Sequence, residues 1–211
     1  TVGHGLTATP EMVFLKNRTD TKFWRVTCTG LAQGEDLKLE QTAAKASVTN
    51  GTVDLTTSTS SLLNLKAGSG TTPTKNVNEG TDNYILYCWH SVEGYSKIGT
   101  YTGNGSADGP FVYLGFKPAF LLVKRAIGGT GNWHLVDAER DTSNPTEKWL
   151  EPNEPAAEQS GAATQYIDFL SNGFKVRGSG NQTNASTSTY VYLAFAENPF
   201  GGENVPPATA R

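Results

Sequence analysis

Short, dense apolar runs alternate along the chain with polar segments rich in glycine, threonine and asparagine. "EMVFLK" (11–16) and "AFLLVK" (119–124) are nearly continuous apolar runs, the pattern of a strand buried on both faces or in a sandwich core. Pro10 and Pro118 stand just ahead of them, where a strand tolerates proline. "NYILYCWHS" (83–91) and "TYVYLAFAE" (189–197) are rich in aromatic residues, which favour β structure. "FWRVT" (23–27) and "NWHLV" (132–136) alternate more clearly. In "LSNGFKVRG" an Asn-Gly pair between apolar flanks predicts a hairpin. Three prolines in 138–163 predict loop there, with room for a short helical turn.

The runs repeat. Pro10 aligns with Pro118, Lys16 with Lys124 and Trp24 with Trp133, at offsets of 108, 108 and 109. Leu39 aligns with Leu150 at offset 111, and Tyr84 with Tyr190 and Trp89 with Phe195 at offset 106. Three separate segments thus agree within five residues, and the differences fall in polar loops. The expected architecture is all-β: tandem duplicated, antiparallel, sandwich-like units over 1–99 and 100–202, followed by a proline-rich tail over 203–211. The sequence leaves open whether the units are two sandwiches or share sheets. "TYTGNGSADGP" (100–110) opens the second copy, and the first copy lacks this preface. With no initiator methionine, the chain is expected to be a fragment or the processed C-terminal part of something longer.

Composition narrows the function classes. With 23 Gly and 10 Pro among 211 residues, many turns are expected. A net charge of −3 and the lack of a basic stripe argue against a nucleic-acid partner. No apolar stretch approaches the roughly 18–20 residues that a membrane helix needs, so membrane insertion is not expected. Cys28 and Cys88 lie in apolar strands and read as two buried thiols, although spacing leaves one bridge open. Asn17, Asn50, Asn104, Asn181 and Asn184 form Asn-X-Ser/Thr sequons, which arise by chance in so asparagine- and threonine-rich a chain.

"EMVFLKNR", "NYILYCWHSVEGYSKIGTYTGNGSADGPFVYLGFKPAFLLVKR", "IDFLSNGFKVR", "YVYLAFAENPFGG" and "PATAR" together resemble a repeated domain of virion proteins in tailed bacteriophages, including marine phages of cyanobacteria. The resemblance covers essentially the whole chain. In such proteins the domain often closes a longer chain, after a jelly-roll module similar to concanavalin-A-like lectins. The resemblance implies a tail-fibre-like or structural protein on the virion, assembled in a bacterial cytoplasm, with no known active site. It also implies reduced cysteines, unglycosylated sequons and other virion proteins as partners. A homo-oligomer is expected, a trimer being one form.

The chemistry is sparse. His4, His90 and His134 have no serine elbow beside them, and their repeat partners are not histidines. No metal-ligand spacing occurs, and "DAERD" matches no calcium loop. No cofactor is expected. Asp137, Glu139, Asp141, Glu147, Glu151 and Glu154 supply carboxylates that a glycan depolymerase would need in opposed pairs. Sugar recognition is the better reading: an aromatic face takes the apolar side of a ring, and amides and carboxylates take its hydroxyls. Trp149, near Glu147 and Asn153, is the first candidate contact if it is exposed, and a structural role is the alternative for it. Trp24 and Trp133 follow, each beside a cation or imidazole, Arg25 and His134. Repeated tryptophans in alternating strands are otherwise core. The expected role is therefore non-enzymatic attachment to a bacterial surface glycan. A capsid or tail decoration protein with no ligand is the alternative, and a depolymerase comes third.

Overall fold

The computed structural model describes residues 1–48, 51–66 and 77–199. The Asn50 sequon and the 203–211 tail lie outside them. The chain divides into two units, Thr1–His90 and Ser91–Arg211. The expected junction at 99/100 moves back because "SKIGTYT" (96–102) pairs with a strand near the end of the second unit.

The first unit contains β1 (Val2–Gly3), β2 (Met12–Asn17), β3 (Arg25–Cys28), β4 (Glu35–Lys38), β5 (Ala46–Ser47), β6 (Thr52–Asp54), β7 (Leu62–Lys66) and β8 (Tyr84–Trp89). They form a five-stranded sheet in the order β5-β4-β3-β2-β8 and a three-stranded sheet, β1-β7-β6. Alternate side chains of a strand point to opposite faces. Val13 and Leu15 of β2 therefore turn together toward Val53, Leu63 and Val77, with Tyr84, Leu86 and Cys88 packed at the margin.

The second unit contains β9 (Ser96–Thr102), β10 (Phe111–Tyr113), β11 (Pro118–Ile127), β12 (Trp133–Asp137), β13 (Lys148–Trp149), β14 (Gln159–Ser160), β15 (Ile167–Leu170), β16 (Gly173–Val176) and β17 (Thr189–Ala196). A four-stranded sheet, β12-β11-β17-β9, faces a three-stranded one, β10-β16-β15. Their shared core includes Leu121, Val123, Tyr190, Tyr192, Phe169 and Phe174. The hairpin expected at Asn172-Gly173 is the β15–β16 turn. The 138–163 segment is mostly loop, and β13 and β14 form a two-residue ladder within it.

Strand order and register correspond between β3-β2-β8 and β12-β11-β17. Met12 pairs with Trp89 as Phe120 pairs with Phe195, and Asn17 with Tyr84 as Arg125 with Tyr190. Leu15 pairs with Arg25 as Val123 pairs with His134. Lys16 and Lys124 hold the same place, and each ammonium group donates to a carbonyl of the following connection, Lys22 O and Gly131 O. Burial lowers the Lys124 pKa to about 8. One alignment shifts: Leu150 bridges Leu135, and the matching pair is Val26 with Leu37, so Leu150 corresponds to Leu37 rather than Leu39. Among the described residues, each sheet is drawn from strands of one unit.

The glycine-rich preface folds against a single buried amide. Asn184 Nδ2 donates to Asn104 Oδ1 (3.0 Å), Ser106 O (2.7 Å) and Gly178 O (2.8 Å). Its Oδ1 accepts from Asn104 N at 2.8 Å. A Cβ at Gly103 would run into Ala185 O, and one at Gly109 would stand 2.5 Å from Val176 O, so only glycine lets the loop lie this close. Asn17 is buried as well, donating to Asp82 Oδ2 at 2.7 Å and accepting from Thr19 N and Asp20 N. These two sequon asparagines are thus structural, closed to a glycan by burial. Cys28 and Cys88 are free thiols, and burial pushes the Cys28 pKa up to about 12.

Stranding buried polar partners is destabilising by about 1–3 kcal/mol for each interaction lost. Asn184→Ala is therefore expected to lower stability to urea by about 3 kcal/mol, whereas Asn181→Ala, at an exposed sequon, stays within about 0.5 kcal/mol of the native chain.

Candidate functional site

The structure does not place the expected contacts of the second unit on a surface. Trp149 is only 6% exposed and belongs to the core. Its ring lies over the His134 imidazole, with centroids 5.4 Å apart and planes at 30°. Trp133 is buried too, and its backbone N–H donates to Asn153 Oδ1 at 2.8 Å. Asn153 Nδ2 in turn donates to Asn132 Oδ1 (2.8 Å) and Glu154 Oε1 (3.1 Å). Glu147 is exposed, but its backbone N–H binds Asp141 Oδ2 at 2.6 Å. These residues hold the long loop against β12. The reason is positional: Leu150 bridges Leu135, which swings Trp149 inward onto His134.

His134 is fully buried. Its Nδ1 donates to Gln182 Oε1 at 3.4 Å, and Gln182 Nε2 donates to Glu151 Oε1 at 2.9 Å. His134 Nε2 has no hydrogen-bond partner. Burial lowers the imidazole pKa from 6.5 to about 4. Burial also acts to raise the Glu151 pKa, but hydrogen bonds from Gln182, Asn132 and Trp149 hold it below its ordinary value.

The other carboxylates are engaged locally. Asp137 binds Arg140, at 2.7 Å to its N–H and 3.1 Å to Nε, and Asp141 caps the start of β13. A polar cavity of about 210 Å³ holds Glu139, Asp141 and Ser143 beside the Lys117–Glu197 ion pair. Among the described residues, no three His, Cys, Asp or Glu side chains are grouped to hold a metal ion.

The first unit presents a different surface. Val26 pairs with Phe14 and Phe14 with Tyr87, which places Phe14, Val26 and Tyr87 on one face of the sheet. Trp24 precedes Val26 by two residues and shares that face. Trp24 and Tyr87 have centroids 6.2 Å apart with planes at 30°. Tyr87 and Trp89 are also 6.2 Å apart, with planes at 16°. Phe14 meets Trp89 edge-on at 4.9 Å. The result is a row of three rings, Tyr87 and Trp89 nearly parallel and Trp24 tilted from Tyr87, with Tyr87 46% exposed and Trp24 and Trp89 partly exposed. The exposed Glu40 carboxylate lies beside Trp24, accepting its backbone N–H at 2.9 and 3.1 Å.

Arg25 turns to the opposite face and grips the buried Asp36 carboxylate at 3.1 and 2.9 Å. Burial raises the Asp36 pKa to about 6, against the pull of the guanidinium. Of the expected candidates, then, Trp24 reaches an open aromatic surface, and Trp133, His134, Trp149 and Arg25 serve the interior. Tyr87 and Trp89 were the missed members. The sequence carries no signal that separates them, because every residue from Tyr84 to Trp89 is apolar or aromatic, and only the place of the strand at the end of its sheet marks their exposure.

His134 supplies a test of this arrangement. Between pH 6.5 and about 4 the unfolded chain binds a proton that the folded one refuses, so stability falls as the pH drops through that window. The full effect is about 3 kcal/mol. Asp36 acts in the opposite sense over about 6 to 3.8, since its carboxyl takes up its proton at higher pH in the fold. Comparing the native chain with His134→Gln isolates the histidine. The difference in stability between them, measured by urea unfolding, is expected to change by about 3 kcal/mol from pH 7 to pH 4, and a constant difference would refute the buried neutral imidazole.

No curated protein and no solved structure matches the chain. Residues 1–199 match the family described as a domain of unknown function, DUF7483. The match spans both units, and the chain belongs to that family.

Proposed function

We propose that the chain is a non-enzymatic β scaffold of a phage virion surface, of tail-fibre or appendage type, that binds a bacterial surface glycan through the first unit. The observation that carries the glycan reading is the Trp24–Tyr87–Trp89 row. Three neighbouring, partly exposed rings offer apolar surface to sugar rings, and the neighbouring Glu40 carboxylate is an acceptor for hydroxyl groups. The virion assignment is supported by the sequence resemblance alone. The tandem-repeat reading is supported by the matching registers of β8-β2-β3 and β17-β11-β12.

A second concave feature favours a contact in the other unit. A cleft of about 380 Å³ is lined by Ser91, Glu93, Lys97 and Tyr113, the last 55% exposed. It joins one open aromatic ring to one charge of each sign, the make-up of a small polar-ligand site.

The test is a bacterial glycan array probed with the intact chain, followed by titration of any ligand found. Tyr87→Ala and Trp24→Ala are each expected to weaken binding about tenfold or more, with an unchanged far-ultraviolet dichroism spectrum. A native chain that retains no glycan, or a Tyr87→Ala variant that binds as well as the native chain, would sink the reading.

A further inference from the structure

β8 and β17 occupy the same place in the two units, but their surroundings differ. β17 runs between β11 and β9, whereas β8 ends its sheet with β2 on one side. Among the described residues, no strand pairs with the other side of β8.

The ladder shows which groups that edge presents. Arg18 N donates to Asn83 O at 2.8 Å. Narrow pairs recur every second residue of an antiparallel ladder, so Asn83, Ile85, Tyr87 and Trp89 turn their main chain to β2. Tyr84, Leu86 and Cys88 turn theirs outward. The second unit keeps the same phase. Ala196 N donates to Tyr95 O at 2.8 Å and Gly103 N to Ser188 O at 2.9 Å, so Tyr190, Tyr192 and Ala194 bond to Tyr101, Gly99 and Lys97.

Burial points the same way. None of the six residues of β8, "YILYCW", is buried, although every one is apolar or aromatic. In β17 the residues matching Tyr84, Leu86 and Tyr87 are Tyr190, Tyr192 and Leu193, at 0%, 4% and 3% exposure. Edge strands are ordinarily kept from pairing by a charge, a proline, a bulge or very short length. β8 carries no charge and no proline, and its six residues pair with β2 without a register shift.

We propose that the outer edge of β8 accepts a sixth antiparallel strand: an extended segment with the side-chain pattern of β9. Transferring the β9–β17 register sets its lysine opposite Cys88, its isoleucine opposite Tyr87 and its aromatic residue opposite Tyr84. The glycine between them falls opposite Leu86. In the second unit that glycine is required, because a Cβ at Gly99 would lie 2.7 Å from the Tyr192 hydroxyl. Leu86 has no hydroxyl at that reach, so the segment is free to carry a side chain there. The recognition runs through the main chain and is independent of the glycan reading.

The test uses the full chain and a fluorescein-labelled peptide of residues 94–103, GYSKIGTYTG. Anisotropy is expected to show saturable binding. Amide exchange followed by NMR is expected to slow at least about tenfold at Tyr84, Leu86 and Cys88, the amides that gain partners. Exchange at Ile85 and Tyr87, already bonded to β2, stays as it was. A peptide carrying Gly99→Pro and Tyr101→Pro lacks the two donors facing Leu86 and Tyr84 and is expected not to bind. Absence of saturable binding up to millimolar peptide overturns the proposal. So does protection elsewhere than β8, and so do Tyr84, Leu86 and Cys88 amides already slow in the chain alone, which would mean that another segment or a second copy covers the edge.

Discussion

One apolar strand in each unit, β2 or β11, takes main-chain hydrogen bonds from a neighbour on either side, and the positions of the other groups follow from that ladder. Strand side chains alternate with period two, so fixing the register fixes the face of every residue on three strands. Val13 and Leu15 go to the core, and Phe14 goes to the other face with Tyr87 and Trp24. The same phase sets the position of the lysine. Lys16 and Lys124 each follow the core-facing position and reach the carbonyl of the next connection, which ties the hairpin from within.

Within this shared frame the two units fill one position with different chemistry. Arg25 and His134 stand at matching sites, and each meets the residue that its neighbouring strand brings alongside: Asp36 in one case, Trp149 in the other. The first solution is an ion pair whose carboxylate is buried and whose guanidinium is held on both oxygens. The second is an aromatic stack on a neutral imidazole, extended through Gln182 to Glu151. Both put a titratable group in the interior, and burial moves the two in opposite protonation senses. It favours the protonated acid at Asp36 and the deprotonated base at His134.

The functional difference follows from the edges. β17 is enclosed by β9 and buries Tyr190 and Tyr192; Tyr190 stacks on Tyr101, and Tyr192 meets Phe174 edge-on inside the core. β8 has the same kind of sequence at the end of its sheet. Its aromatic residues are therefore partly open on the face and its main chain is unpaired by any described strand along the side. Under the proposed readings one strand supplies both modes of recognition, ring faces for a ligand and a hydrogen-bonding edge for an extended segment. Neither requires a nucleophile, a metal or a perturbed acid.

Much of this was legible in the chain. Alternation and apolar runs marked β2, β3, β8, β11, β12 and β17. Asn172-Gly173 marked its hairpin, and the pairs Lys16 with Lys124 and Tyr84 with Tyr190 occupy like register positions, whereas Leu39 with Leu150 do not. Those are local signals, set by φ/ψ preference and period, and the sequence carries them without help. The exposure of a tryptophan is not such a signal. Trp149 lies in a polar, proline-rich segment that leaves its exposure open, and a single bridge between Leu135 and Leu150 turns it into the core. Tyr87 lies in an aromatic-rich run that predicts only a strand, and it is nearly half exposed because nothing described flanks β8 on its far side. Asn17 and Asn184 read as chance sequons and are buried hubs for loops. The sequence determined that the chain is built of antiparallel strands and which residues alternate on them. Only the tertiary structure decided which strand is an edge and which loop folds inward, because burial depends on neighbours distant in sequence.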